Sequence, residues 1–177
     1  MNQTRYAKAS ILLHWLMLVL FIAIYATIET RTSFERGSDI REGLKTWHFM
    51  LGLTLFSLVW LRIAARLRWP APPIFPAPAR WKMIMAHAAH GLLYLLMIAM
   101  PVGGWLILSG EGKAIPFWGL ELPSLMAPDK PVAKQIKEIH ETAGKAGYVL
   151  IGLHALAALV HHYVWKDNTL RRMWFRS

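Results

Sequence analysis

His140 and His154 stand fourteen residues apart near the C-terminal end of the chain. On an α-helix that is nearly four turns, so both imidazoles leave one face, roughly 21 Å apart along the axis. Two further histidines, His14 and His48, lie in two other apolar segments. Ionisable groups within such segments are costly and usually functional. Depth sorts the four into pairs: His48 with His140 toward one surface, His14 with His154 toward the other. Each pair draws one imidazole from each of two helices, which is what a b-type haem needs. The macrocycle fits between helices, the iron takes a nitrogen from each side, and apolar surroundings hide the ring.

Other arrangements compete for the same residues. Intramembrane histidines also serve as polar glue between helices or as a proton path. Tetrahedral zinc fits less well, because its ligands must converge on one point and these are split between two depths. Gly144 and Gly147 follow His140 by four and seven residues, and Gly52 follows His48 by four. They would let a porphyrin approach the backbone, or they serve ordinary close helix packing. His161, seven residues after His154, falls on the same face roughly 10 Å deeper. It would serve a quinone carbonyl, carry a proton, or simply meet interfacial water. For His87, His90 and His162, propionate contacts, quinone contacts and solvation all stay open. His87 and His90 differ by about sixty degrees around a helix, so one of them would line the same pocket.

The elements that must position these residues are legible from charge. Runs 9–28, 46–61, 83–110 and 146–165 contain no Asp, Glu, Lys or Arg. Three reach at least twenty residues, enough to cross about 30 Å of hydrocarbon. The second is extended by Ile63, Ala64 and Ala65 past a snorkelling Arg62. The expectation is one all-α domain over 1–177, a four-helix transmembrane bundle with spans at 9–29, 46–66, 83–109 and 133–165. The first run is too long for a signal-peptide core and reads as an uncleaved span.

The net charge of +10 resides in three segments. Arg5 and Lys8 precede the first span. Arg62, Arg66, Arg68, Arg80 and Lys82 lie between the second and third. Lys166, Arg171, Arg172 and Arg176, against Asp167, follow the fourth. The other two connections are charge-balanced. The positive-inside rule then places both termini and the middle loop in the cytoplasm, which argues against nucleic acid as the partner of this charge. Cysteine is absent, excluding disulfides, Cys-ligated iron–sulfur clusters and C-x-x-C-H haem attachment.

Locally, Ser10 is a candidate helix cap. Five prolines between Trp69 and Pro78 predict an extended segment along the inner surface. Pro101 predicts a kink. The fourth helix should begin soon after Pro131. Phe117-Trp118-Gly119-Leu120 is apolar enough for its loop to lie on the membrane. Arg41, Lys45, Lys134 and Lys137 fall within two turns of His48 or His140 and would form a basic funnel for an anion. A charge-balanced surface is the competing reading, since Glu42, Glu138 and Glu141 lie among them.

His14-Trp15, His48, the His140/His154 spacing and the tail from His161 to Leu170 resemble the prokaryotic cytochrome b561 family. They are also similar to the membrane cytochrome b subunits of formate dehydrogenases and nickel–iron hydrogenases. The short four-span form looks most like the stand-alone bacterial superoxide oxidases. The resemblance implies two non-covalent b haems, held by His48 with His140 on the periplasmic side and by His14 with His154 on the cytoplasmic side. It implies ubiquinone and superoxide as partners in the bacterial inner membrane, with lipid around the bundle. The alternative activity is that of an electron-carrier subunit serving a dehydrogenase or hydrogenase as redox partner protein.

Overall fold

A computed structural model describes residues 4–175. Four long helices dominate: α1 (Lys8–Thr30), α2 (Asp39–Arg68), α3 (Arg80–Gly110) and α4 (Lys130–Tyr163). All four are long and apolar enough to cross a membrane. The helices begin and end on local chemistry. Ser38 caps α2, its hydroxyl accepting from the Arg41 N–H at 3.4 Å, with Asp39 and Glu42 in the first turn beside the positive end of the helix dipole. Asp129 caps α4 by accepting from the Val132 N–H at 3.0 Å, and Pro131 follows in the first turn, where its missing N–H costs nothing.

Ser10 does not cap α1. The helix begins two residues earlier, after Ala7, and the Ser10 hydroxyl is buried without a partner. Pro101 stands inside α3, which continues as helix on both sides of it. The Phe117–Leu120 loop is a β-hairpin rather than an irregular segment. Strand β1 (Ile115–Phe117) pairs antiparallel with β2 (Leu120–Leu122). Trp118 and Gly119 form its two-residue turn with φ of 49° and 86°, the left-handed region such turns require. Ile115 sinks into a cluster with Leu53 and Leu108, and the Trp118 indole donates to the Thr54 hydroxyl at 2.9 Å. The hairpin therefore sits on one end of α2 and α3. The apolar character of Phe117–Leu120 was legible in sequence, but the buried anchor Ile115 and the strand pairing depend on that floor.

The first and last described segments meet at the opposite end. Tyr6 N–H donates to the Arg172 carbonyl at 3.1 Å, and the Trp15 indole donates to the Met173 carbonyl at 2.9 Å. The proline-rich segment lies against the same tail, where the Phe75 N–H donates to Asn168 Oδ1 at 2.9 Å and Asn168 N–H donates back to the Phe75 carbonyl at 3.1 Å. The bundle thus has a hairpin end and a terminal end.

Between them lies a core of Met17, Leu20, Leu55, Val59 and Met97, drawn from α1, α2 and α3. α4 contributes nothing to it; only Ala133 and Gly147 of that helix are buried. α1 packs along α2 and α4 along α3. α4 consequently stands off from α1 and α2, and the gap is where the histidines meet.

Candidate functional site

Across that gap the rings of His48 (α2) and His140 (α4) have centres 6.4 Å apart. Those of His14 (α1) and His154 (α4) are 6.2 Å apart. Two imidazoles on opposite sides of one metal ion, with metal–nitrogen bonds of about 2 Å, hold their ring centres roughly 6.3 Å apart. Both separations suit a shared metal ion. The first pair lies at the hairpin end and the second at the terminal end, with the apolar core between them.

At the hairpin end the pair lines a cavity of about 390 Å³. The His48 Nδ1–H donates to the Ile24 carbonyl at 3.0 Å, a bond that fixes the ring and leaves Nε2 free as a ligand. His140 Nδ1 is buried without a partner. A Cβ added at Gly103 would stand 3.3 Å from that nitrogen, and one at Gly104 3.7 Å from His140 Cε1. The glycines that make room for His140 are therefore on α3, where sequence spacing could not point to them.

The glycines singled out from sequence divide. Gly52 lines the cavity with nothing within 4 Å of an added Cβ. Gly144 lines it too, and its carbonyl accepts from the Tyr25 hydroxyl at 2.9 Å. Gly147 is instead a packing position. A Cβ there would collide with the Tyr25 hydroxyl and come within 3.2 Å of Leu96, so its lack of a side chain serves α1 and α3 rather than an open ring face.

The charged rim also differs from the proposed funnel. Arg31, Lys45, Lys137 and Lys145 line the cavity together with Glu29, Glu111 and Glu141. Arg41 is turned away to hold the preceding loop, donating to the Phe34 carbonyl at 2.6 Å and the Arg31 carbonyl at 3.2 Å. Lys134 is exposed and is not part of the cavity wall. Lys137 pairs loosely with Glu141 at 3.9 Å and Lys45 with Glu42 at 3.8 Å. Beyond the helix, burial raises the Glu111 carboxyl, but its bond to Lys113 at 2.7 Å outweighs this and holds it below its usual range.

At the terminal end His90 joins the pair, its ring centre 5.4 Å from that of His154. His87 is exposed. Arg62 Nη2 donates to His14 Nδ1 at 3.1 Å. In the last turn of α4, the His161 Nδ1–H donates to Asp167 Oδ2. Asp167 also accepts from the Thr169 N–H at 2.8 Å. Burial pushes the Asp167 carboxyl up, yet these bonds prevail and its pKa lies below the normal value. The Lys82 ammonium sits 3.4 Å from the centre of the Trp165 ring. His162 Nδ1 is buried without a partner.

A bundle of four membrane-length helices presenting paired imidazoles across an interhelical gap has the architecture of a membrane electron-transfer protein. The family model for prokaryotic cytochrome b561 matches residues 5–176, and the chain belongs to that family. It is 39% identical over 170 residues to cytochrome b561 homolog 1 of Escherichia coli, covering 96% of each chain. It is 40% identical over 169 residues to the probable superoxide oxidase CybB of Yersinia pestis, covering 96% of this chain and 95% of that one. Cytochrome b562 of Cereibacter sphaeroides is 30% identical over 172 residues, covering 95% and 94%. The protein is a membrane electron-transfer protein, and its family implies b-haem binding.

Proposed function

We propose that the protein binds two b haems, one between His48 and His140 and one between His14 and His154, and oxidises superoxide with reduction of ubiquinone. The observation that carries this reading is the pair of imidazole separations, 6.4 and 6.2 Å, on one face of α4. The name of the Yersinia pestis relative supports superoxide as the donor. The hairpin end is periplasmic and the terminal end cytoplasmic, because the unbalanced basic residues of the chain gather at the latter.

Haem held by these histidine pairs would supply one-electron transfer. The chain does the remainder. Arg31, Lys45, Lys137 and Lys145 draw an anion to the hairpin-end cavity, where two superoxide ions each give one electron and leave as dioxygen. The Ile24 carbonyl holds the His48 ring in its ligating tautomer. The core of Met17, Leu20, Leu55, Val59 and Met97 keeps water from the path between the ends. At the terminal end two electrons and two protons convert one quinone to quinol. His161 stands on the cytoplasmic side of His154, oriented by Asp167, to hold a proton for a quinone oxygen.

The test uses purified protein under anaerobic conditions. A superoxide pulse reduces the haem, and added ubiquinone reoxidises it with two superoxide ions consumed per quinol formed. A protein that stays oxidised after the pulse, yet is reduced by a co-purifying periplasmic dehydrogenase, is an electron-carrier subunit instead.

A further inference from the structure

Three guanidiniums converge at the terminal end without an acid to neutralise them. Arg62 and Arg66 are one turn apart on α2, so both point to the same side. The Arg66 guanidinium lies 4.8 Å from the centre of the Tyr6 ring, and that of Arg172 lies 5.4 Å from it. Arg172 is only 5% exposed. Its Nη1 donates to the Pro72 carbonyl, but its Nε is buried with no acceptor, and so is Nη1 of Arg66. Among the described residues none of the three has a carboxylate within ion-pair distance. Asp167, the acid of this region, is engaged by His161 and Thr169.

Unpaired buried cations cost several kcal/mol each, and an orphaned buried donor adds about 1–3 kcal/mol. Arg172 bears both costs, offset in part by the Tyr6 ring face and the Pro72 carbonyl, and half-buried Arg66 bears the second. Arg62 supplies a second, independent sign. An imidazole that binds a metal through Nε2 carries its proton on Nδ1. Arg62 cannot donate to His14 Nδ1 in that state, so ligation by His14 releases a guanidinium that then needs another acceptor.

We propose that Arg62 beside His14, with Arg66 and Arg172 against Tyr6, forms a partly buried carboxylate site that takes the propionates of the haem held by His14 and His154. This rests on the two-haem reading above. Two propionates bring two negative charges and planar acceptors that suit guanidinium forks. The site thereby orients the porphyrin with its acidic edge toward the termini. It also ties the N-terminal segment, the proline-rich segment and the tail to occupancy of that haem, since Tyr6 and Pro72 both touch Arg172.

The experiment uses the full-length chain with His140→Ala, which leaves the terminal-end site alone. The chain is produced without haem and titrated in detergent micelles with haem or with haem dimethyl ester, followed by the absorption of the paired-imidazole complex. The free acid is expected to bind at least tenfold more tightly than the ester. Arg66→Gln and Arg172→Gln should each erase most of that preference, and Arg66→Lys should keep part of it. Equal affinity for acid and ester, with all three arginines present, would overturn the site while leaving the haem in place. That comparison needs no arginine variant to fold. Failure of either form to bind would remove both the terminal-end haem and this site. Retention of phosphatidylglycerol through delipidation, lost in Arg66→Gln, together with no acid-over-ester preference, would assign the cluster to a lipid phosphate and overturn the propionate assignment.

Discussion

The two ends of the bundle each bring two imidazoles together, in different surroundings. At the hairpin end the histidine pair borders a cavity, its His48 nitrogen rests on a neutral carbonyl, and the rim mixes both signs of charge. At the terminal end the pair lies beside uncompensated guanidiniums, under a lid made from the chain's own termini and proline-rich segment. The open end suits a small diffusing anion. The latched end suits a larger partner arriving from within the bilayer. The difference arises because α4 leans on α3 throughout, so each pair is finished by whatever the loops at its own end provide.

The largest effect should come from removing one member of either pair. His140→Ala and His154→Ala are each expected to halve the haem content of the purified protein, measured as pyridine haemochrome per chain. Retention of all haem in both variants would dissolve the comparison altogether. Next come the glycines of the hairpin end. Gly147→Val should destabilise by about 1–3 kcal/mol through overpacking against Tyr25 and Leu96, whereas Gly52→Ala should be close to neutral. Thermal unfolding in detergent separates them, and equal losses would show that Gly52 is as tightly packed as Gly147.

The latch of the terminal end makes a smaller and pH-dependent prediction. The Asp167 pKa is lowered by folding, so its contribution is fully present above the unfolded value, about 3.9. It is lost as pH falls through the lower folded value. Tail docking, read by limited acid-protease cleavage between residues 166 and 175, should hold from neutral pH to about pH 4 and weaken below it. Asp167→Asn should loosen the tail at neutral pH by about 1–3 kcal/mol and abolish that dependence. Smallest are the rim charges. Lys137→Glu should slow superoxide encounter by a few fold and flatten its salt dependence. Lys134→Glu, outside the cavity wall, should do less, and Arg41→Ala should loosen the 31–38 loop without a comparable change in salt slope.

Much of the frame was legible because it rests on composition and period. Three uncharged runs long enough for a bilayer, and a fourth extended past Arg62, became the four helices, with α2 beginning at Asp39 and α4 at Lys130 because Ser38 and Asp129 cap them in the polar margin. The residues that position His140 were not legible. Gly103 and Gly104 belong to a different helix, and no periodicity within α4 refers to them. The Trp118–Gly119 turn was missed because a largely apolar eight-residue hairpin has no signal apart from the floor it packs on. Arg41 and Lys134 looked like rim charges from their separation along the helix, but local carbonyls and helix rotation took them out of the wall.

By itself the sequence determined that four helices could cross a membrane and that His140 and His154 would share one face, since hydropathy and the 3.6-residue repeat are properties of a single segment. Only the tertiary structure decided that α4 would stand off from α1 and α2 by the width of a paired-imidazole site. It also decided that Arg66 and Arg172 would meet at Tyr6, with Arg62 one turn from Arg66 beside His14. Those outcomes depend on how separate segments pack, where distance in space is unrelated to distance along the chain.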